Sequence, residues 1–270
     1  MCYNNFNYIM ETLNKPAFPY FEAYMRNIKL SVQYDGTHYH GWQIQKNART
    51  VQETLENSIM DLTGYHSRVT GCGRTDSGVH AENYICNFFS DTAVAPEKLP
   101  FALNSRLPDD IICKKAEYVP DTFHSKNSAS AKTYIYKIFH DDFPDVFSQK
   151  YSWHIRGNLN IEDMITASKA FIGTHDFLGF ASSGFSAQTT VRTIYSLDIS
   201  SYGNNICISV TGNGFLYNMV RIITGTLVFI GQGKIPCGDI SDIILSKDRR
   251  RAGITAPPNG LFLKEVFYET

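Results

Sequence analysis

No C-x-x-C pair links any of the six cysteines (Cys2, Cys72, Cys86, Cys113, Cys207 and Cys237), so their spacing offers no zinc site. Several lie inside apolar runs, as expected for buried, reduced thiols in a cytosolic protein. No apolar run approaches bilayer length; the strongest, around Leu227 to Ile230, is far too short. The N-terminus has no basic segment followed by an apolar one, so it does not read as a secretory signal. There is no low-complexity tract and no short-period repeat. Charge of one sign is also missing, since 25 Lys and Arg meet 26 Asp and Glu for a formal net charge of −1. That balance does not exclude a nucleic-acid partner, because binding depends on where cations cluster.

What remains is an ordinary globular composition, 43% hydrophobic and 19% charged, in 270 residues. This suits one large domain or two of usual size. Aromatics are abundant, with 16 Tyr and 18 Phe; most belong in a core, while a tyrosine in a groove can stack on a base.

Residues 1–24 are polar and aromatic without a clear period, and read as an appendage. A start at Met25 would give a complete domain, so the upstream stretch is an accessory segment or a misassigned start. Arg26 to Tyr34 alternates with period two and predicts a strand ending at the Asp35-Gly36 turn. Thr50-Val51-Gln52-Glu53 is a capping box opening a helix with Val51, Leu55, Ile59 and Leu62 on one face, stopped by Gly64. Strands follow at Arg68 to Cys72 and Tyr84 to Phe89, then a short helix from Pro96 to Asn104 and a strand from Ile111 to Tyr118.

After a polar, irregular stretch over 119–132, the order repeats. A strand is predicted over Thr133 to Phe139. Asn160 caps a helix carrying Met164, Ile165, Ser168, Phe171 and Ile172 on one face. Strands follow at Val191 to Ser200 and Ile206 to Thr211, a helix from about Phe215 to Ile230, and a last strand from Leu261 to Tyr268. Two β-α-β-β-α-β units imply an α+β fold of two tandem ferredoxin-like halves, whose antiparallel or mixed sheets could join edge to edge and leave a central cleft. The divisions are 1–24, 25–122 and 123–270.

Between the second and third strands of the first half lies Gly71-Cys72-Gly73-Arg74-Thr75-Asp76-Ser77-Gly78-Val79-His80-Ala81. Its glycines allow positive φ and close approach of a ligand. Its spacing matches neither a phosphate-binding Walker loop nor the dinucleotide fingerprint. A lone carboxylate stands among Arg, Thr and Ser without metal-ligand partners, so Asp76 is a candidate nucleophile or base. Arg74 is placed to orient it and keep it ionised. A plain hairpin loop with a surface ion pair is the alternative that composition leaves open.

The segment Gly73 to His80 closely resembles the signature of the tRNA pseudouridine synthase A (TruA) family of pseudouridine synthases. Further stretches are similar to that family in order: Tyr34-Asp35-Gly36-Thr37 with Gly41-Trp42-Gln43, then Thr50 to Glu53, Ala131 to Tyr136, Phe215 to Arg221, and Gly260 to Leu263. The resemblance implies the pseudouridine synthase fold and isomerisation of uridine to pseudouridine in tRNA, at positions 38 to 40 of the anticodon stem-loop, by a cytoplasmic homodimer without cofactor or metal. It maps the catalytic aspartate onto Asp76, the base-contacting tyrosine onto Tyr134 and an apolar pocket wall onto Leu263. Arg74 and Arg221 become the candidates for lowering the carboxylate's pKa, Arg221 across the cleft between the halves. His80 and Cys72 read as loop packing. Lys46 with Arg49, Lys126 with Lys132, and Lys247 with Arg249, Arg250 and Arg251 are candidate phosphate contacts or solvated faces. Ser77 stands where the family often has Ala or Lys. Two alternatives remain: a non-catalytic RNA-binding protein of two RNA-recognition-like halves, and a pseudouridine synthase acting at another tRNA site.

Overall fold

The computed structural model describes residues 25–184 and 187–269, so the 1–24 extension lies outside the described residues. β1 (Arg26–Tyr34) is the alternating strand expected, with Ile28, Leu30, Val32 and Tyr34 buried. α1 (Val51–Thr63) starts where its capping box says, the Thr50 hydroxyl accepting from the Glu53 N–H at 3.4 Å, and ends on Gly64 at φ 82°. β2 is reduced to Thr70–Gly71 and β3 is extended to His80–Ser90. α2 (Leu99–Asn104) and β4 (Ile111–Tyr118) complete the first unit.

The second unit opens with β5 (Ala129–His140), which starts four residues earlier than its alternation predicts. β6 (Trp153–Ile155) is a short parallel addition to it. α3 (Ile161–Ser168) buries Met164 and Ser168, but Ile165 within it is 38% exposed, and Ile172, 43% exposed, lies past a 3-10 turn that begins at Lys169. β7 (Gly173–Asp176), β8 (Val191–Tyr202) and β9 (Asn205–Gly212) follow. α4 (Met219–Gly231) begins four residues later than the apolar pattern suggests, because Asn218 before it is left-handed at φ 61°. α5 (Ile240–Ser246) and β10 (Leu261–Tyr268) end the described chain.

All ten strands form one mixed sheet along the path β4-β1-β3-β10-β5-β9-β8-β7, with β2 on β3 and β6 on β5. Each unit therefore has its fourth strand beside its first, then its third and second: β4-β1-β3-β2 and β10-β5-β9-β8. The units meet along one edge of β3. β10 takes its beginning, in parallel, at His80 and Ala81; β2 takes its far end at Cys86 and Asn87. One row of partners crosses the seam on a single face of the sheet: Tyr34, Ala81, Leu263, Tyr134, Val210 and Leu197. The glycine-rich loop springs from the short β2 and re-enters the sheet at this seam.

Candidate active site

The loop is bedded on the segment that follows β1. The Trp42 N–H donates to the Thr75 carbonyl at 3.2 Å, the Gly78 N–H donates to the Tyr39 carbonyl at 3.2 Å, and the Tyr34 and Thr75 hydroxyls bond at 2.9 Å. Its three glycines serve two purposes. Gly78 takes positive φ, 77°, whereas Gly71 and Gly73 do not. A Cβ on Gly71 would stand 2.1 Å from the Tyr84 hydroxyl and 2.7 Å from the Trp42 ring, so that glycine lets stacked aromatics hold the loop's base. A Cβ on Gly73 would meet Lys132 Nζ at 3.0 Å. Lys132, a candidate phosphate contact or solvated residue by its sequence, donates to the Cys72 carbonyl at 2.6 Å. Its pKa is lowered by burial. It fixes the loop from β5.

Asp76 emerges at the crest of this loop, and Arg221 reaches it from the first turn of α4. Arg221 Nη1 stands 3.3 Å from Asp76 Oδ2, both side chains being largely buried at 14% and 21% exposure. Two further acceptors fix the guanidinium: Nε donates to the Ala256 carbonyl at 2.7 Å and Nη1 to Asn218 Oδ1 at 2.7 Å. The Ala256 N–H in turn donates to the Arg221 carbonyl at 3.1 Å. Arg221 is thus no solvated helix face; the stretch ahead of β10 closes over it.

Burial pushes the Asp76 carboxyl above its ordinary range, and Arg221 offsets part of that push. Arg74 has no part in it. Its side chain is exposed and makes no ion pair among the described residues, so the orienting cation is Arg221 and not the arginine two residues upstream. Closeness in sequence within an irregular loop does not imply contact, which spacing alone cannot reveal.

Tyr134 lies buried on the same face, its ring edge-on to Phe215 with centroids 5.2 Å apart. Its phenol makes no hydrogen bond among the described residues, and burial, with smaller contributions from Cys72 and Asp76, raises its pKa. It therefore stays protonated at neutral pH. Leu263 sits between Ala81 and Tyr134 in the seam row at 1% exposure, as a floor beneath the site. Cys72 and His80 pack: the thiol is buried with a raised pKa, and the His80 ring stacks on Phe262 at 4.6 Å with Nδ1 3.0 Å from both the Gly36 N–H and Asp35.

Most candidate phosphate contacts are engaged within the chain. Arg49 lies over the Tyr39 ring, Lys247 pairs with Asp176, Arg249 donates to the Gly253 carbonyl and Arg250 pairs with Asp248. The sequence reading missed Asn218, Phe215 and the Ala256 backbone. Of these, Asn218 had a legible signal, since an Asn ahead of a helix is among the few non-glycine residues that accept a left-handed backbone.

The site gathers one buried carboxylate, one fixed guanidinium and one protonated phenol above an apolar floor. Against known proteins, the family model described as tRNA pseudouridine synthase matches residues 30–128 and 167–269. A tRNA pseudouridine synthase A of Thermoanaerobacter sp. (strain X514) is 51% identical over 244 residues, covering 90% of this chain and 100% of that protein. One of Ruminiclostridium cellulolyticum is 46% identical over 245 residues, at the same coverage of each. Among solved structures, a chain of a Cbf5-Nop10-Gar1 complex aligns with a TM-score of 0.36 at 11% identity, covering 88% of this chain and 59% of that one.

Proposed function

The chain belongs to the tRNA pseudouridine synthase family, and from that premise we propose that Asp76 is the carboxylate that starts the isomerisation of uridine to pseudouridine in tRNA. The observation that carries this reading is the Asp76–Arg221 pair at 3.3 Å, made between the glycine-rich loop and α4 beside Tyr134. In the reaction the C1′–N1 glycosidic bond breaks, the uracil turns, and C1′ bonds to C5. The C5 proton leaves and N1 takes one up, so the product is an isomer and no oxidant or second substrate is consumed.

The target base has to leave its stack to reach a carboxylate held at the seam. Attack on the nucleotide and proton abstraction from the sugar both call for an ionised Asp76. Burial makes that carboxylate more basic than a free one, and Arg221 opposes part of that rise and so favours the ionised form. Tyr134 offers its ring for stacking on the turned uracil and an O–H for proton transfer with the base. Exposed Arg74 takes the role of a group that enters the RNA and displaces the base, and Leu263 supports the pocket from below.

The finer assignment is uridines 38 to 40 of the anticodon stem-loop, handled by a homodimer in the cytoplasm, with the halves 25–122 and 123–270 supplying Asp76 and Arg221 respectively. The family resemblance supports these points. Asp76→Ala and Asp76→Asn are expected to bind tRNA but to release no C5 tritium from labelled uridine; turnover at the wild-type rate sinks the assignment. Mapping pseudouridines in tRNA from cells lacking the protein tests the position. Loss elsewhere, with 38 to 40 intact, redirects it.

A further inference from the structure

Arg221 Nη1 divides its two protons unequally. The contact to Asp76 is 3.3 Å, whereas that to Asn218 Oδ1 is 2.7 Å. With Nε held by the Ala256 carbonyl, the bond to Asn218 is the second fixed point of the guanidinium plane. A planar group pinned at two points cannot rotate, so the remaining Nη1 proton is directed at the carboxylate. Asn218 is itself constrained on both sides. Its Nδ2 donates to Ser182 Oγ at 2.9 Å, and its carbonyl accepts the Ile222 N–H at 2.9 Å. The Ser182 N–H donates to the Tyr217 carbonyl at 3.1 Å, so the segment after Phe180 is joined to the start of α4 by a main-chain and a side-chain bond.

The backbone at this position is left-handed, φ 61° and ψ 7°. That conformation is uncommon for any residue with a side chain, and Asn is one of the few that tolerate it. It lets the chain turn sharply into α4 while the short amide points back at a residue one turn into the helix. A lysine or glutamine here could not cap Arg221 from so near, and an alanine would give strain without an acceptor.

Resting on the reading of Asp76 and Arg221 given above, we infer that Asn218 is a positioning residue for the isomerisation. It holds the Arg221 guanidinium at the angle that faces Asp76, and Ser182 braces it from behind. Arg221 provides the charge; Asn218 provides its direction.

The clean truncation is Asn218→Gly, because glycine adopts the left-handed conformation without strain and loses only the amide. Its melting temperature should stay close to that of the wild type, and its tRNA dissociation constant within about twofold. Its single-turnover rate of pseudouridine formation should fall about 10- to 100-fold, the effect of one lost hydrogen bond to a charged group. The decisive readout is a double-mutant cycle with Arg221→Gln. On that background Asn218→Gly should cost less than about twofold, since the group it positions is gone. An equal loss on both backgrounds, or a wild-type rate in the single variant, overturns the inference while leaving the reading of Asp76 intact. A wild-type protein that forms no pseudouridine in tRNA overturns that reading and this inference together.

Discussion

The two repeated units differ most at their second strands. In the second unit β8 runs twelve residues and pairs with β9 almost end to end. In the first, its counterpart β2 has two residues and covers only the far end of β3. The uncovered end of β3 does two things that its counterpart cannot. It receives β10, which joins the units, and it releases the chain from Cys72 to Val79 as a loop at the join. The complete unit contributes a rigid helix and an arginine; the truncated one contributes a carboxylate on a loop. A regular strand would have paired its backbone along β3 and pointed alternate side chains to opposite faces. The Asp76 carboxylate stands where the repeat is broken, where unpaired backbone is free to lift a side chain above the sheet.

If the two units meet functionally at Asp76 and Arg221, cutting that link has the largest effect. Arg221→Gln should lower the single-turnover rate by about 10²- to 10³-fold, the scale of losing one preorganised electrostatic contact in a water-poor site. It should also move the acid limb of kcat/KM to higher pH. The sign follows from the balance at Asp76: burial raises its pKa and Arg221 lowers it, so removing Arg221 leaves burial less opposed. Activity needs the ionised form and is lost as pH falls through that pKa. In the variant the loss therefore begins at a higher pH. A rate profile with its acid limb unmoved would mean that the pair does not set the carboxylate's ionisation.

A second test addresses the rigidity of the complete unit. α4 is buried nearly all round, with α3 on one side and the stretch before β10 on another, where a Cβ on Gly225 would stand 1.9 Å from the Ile254 carbonyl. Gly225→Ala should push that stretch off the helix, costing about 1–3 kcal/mol of stability by overpacking. This outweighs the gain in helix propensity of up to about 1 kcal/mol. Because Ala256 holds Arg221 at both its main-chain and side-chain atoms, the rate should fall as well, about tenfold if one hydrogen bond is weakened. Urea unfolding and single-turnover assays measure both. Full stability in this variant would show that the packing yields.

The same contrast explains what could be read in advance. The repeat of strands and helices was legible because alternation, the Thr50 capping box and Gly64 are local signals that packing then reinforced. The row of partners from Tyr34 to Leu197 was not, since it depends on which edges pair, and β10 joining β3 links residues more than 180 apart in sequence. Asp76, Tyr134 and Arg221 are singled out in the sequence by the motifs they belong to. The partnership of Asp76 was split between two arginines, because sequence proximity favours Arg74 while geometry favours Arg221. Asn218 lies within one of those motifs, yet no spacing or periodicity in the sequence singles it out. Its role lies in a backbone conformation and a hydrogen bond, neither of which has a periodic pattern.

The smallest expected effect concerns Arg74. Were it the cation that keeps Asp76 ionised, its removal would move the acid limb of kcat/KM as Arg221→Gln does. It is exposed and contributes nothing to the carboxylate's pKa shift, so Arg74→Ala should leave that limb where it is in the wild type. The limb reports the free enzyme, before RNA arrives. The consequence should appear only with RNA present: tRNA binding and the single-turnover rate each lowered a few-fold, as for a group that helps to displace the target base. An acid limb shifted upward would instead give Arg74 a hold on Asp76 and weaken the claim that the carboxylate of the broken unit depends on the intact one. A limb that stays in place, beside one that moves in Arg221→Gln, separates two arginines by function: one sets the ionisation of Asp76 across the seam, and the other acts on RNA.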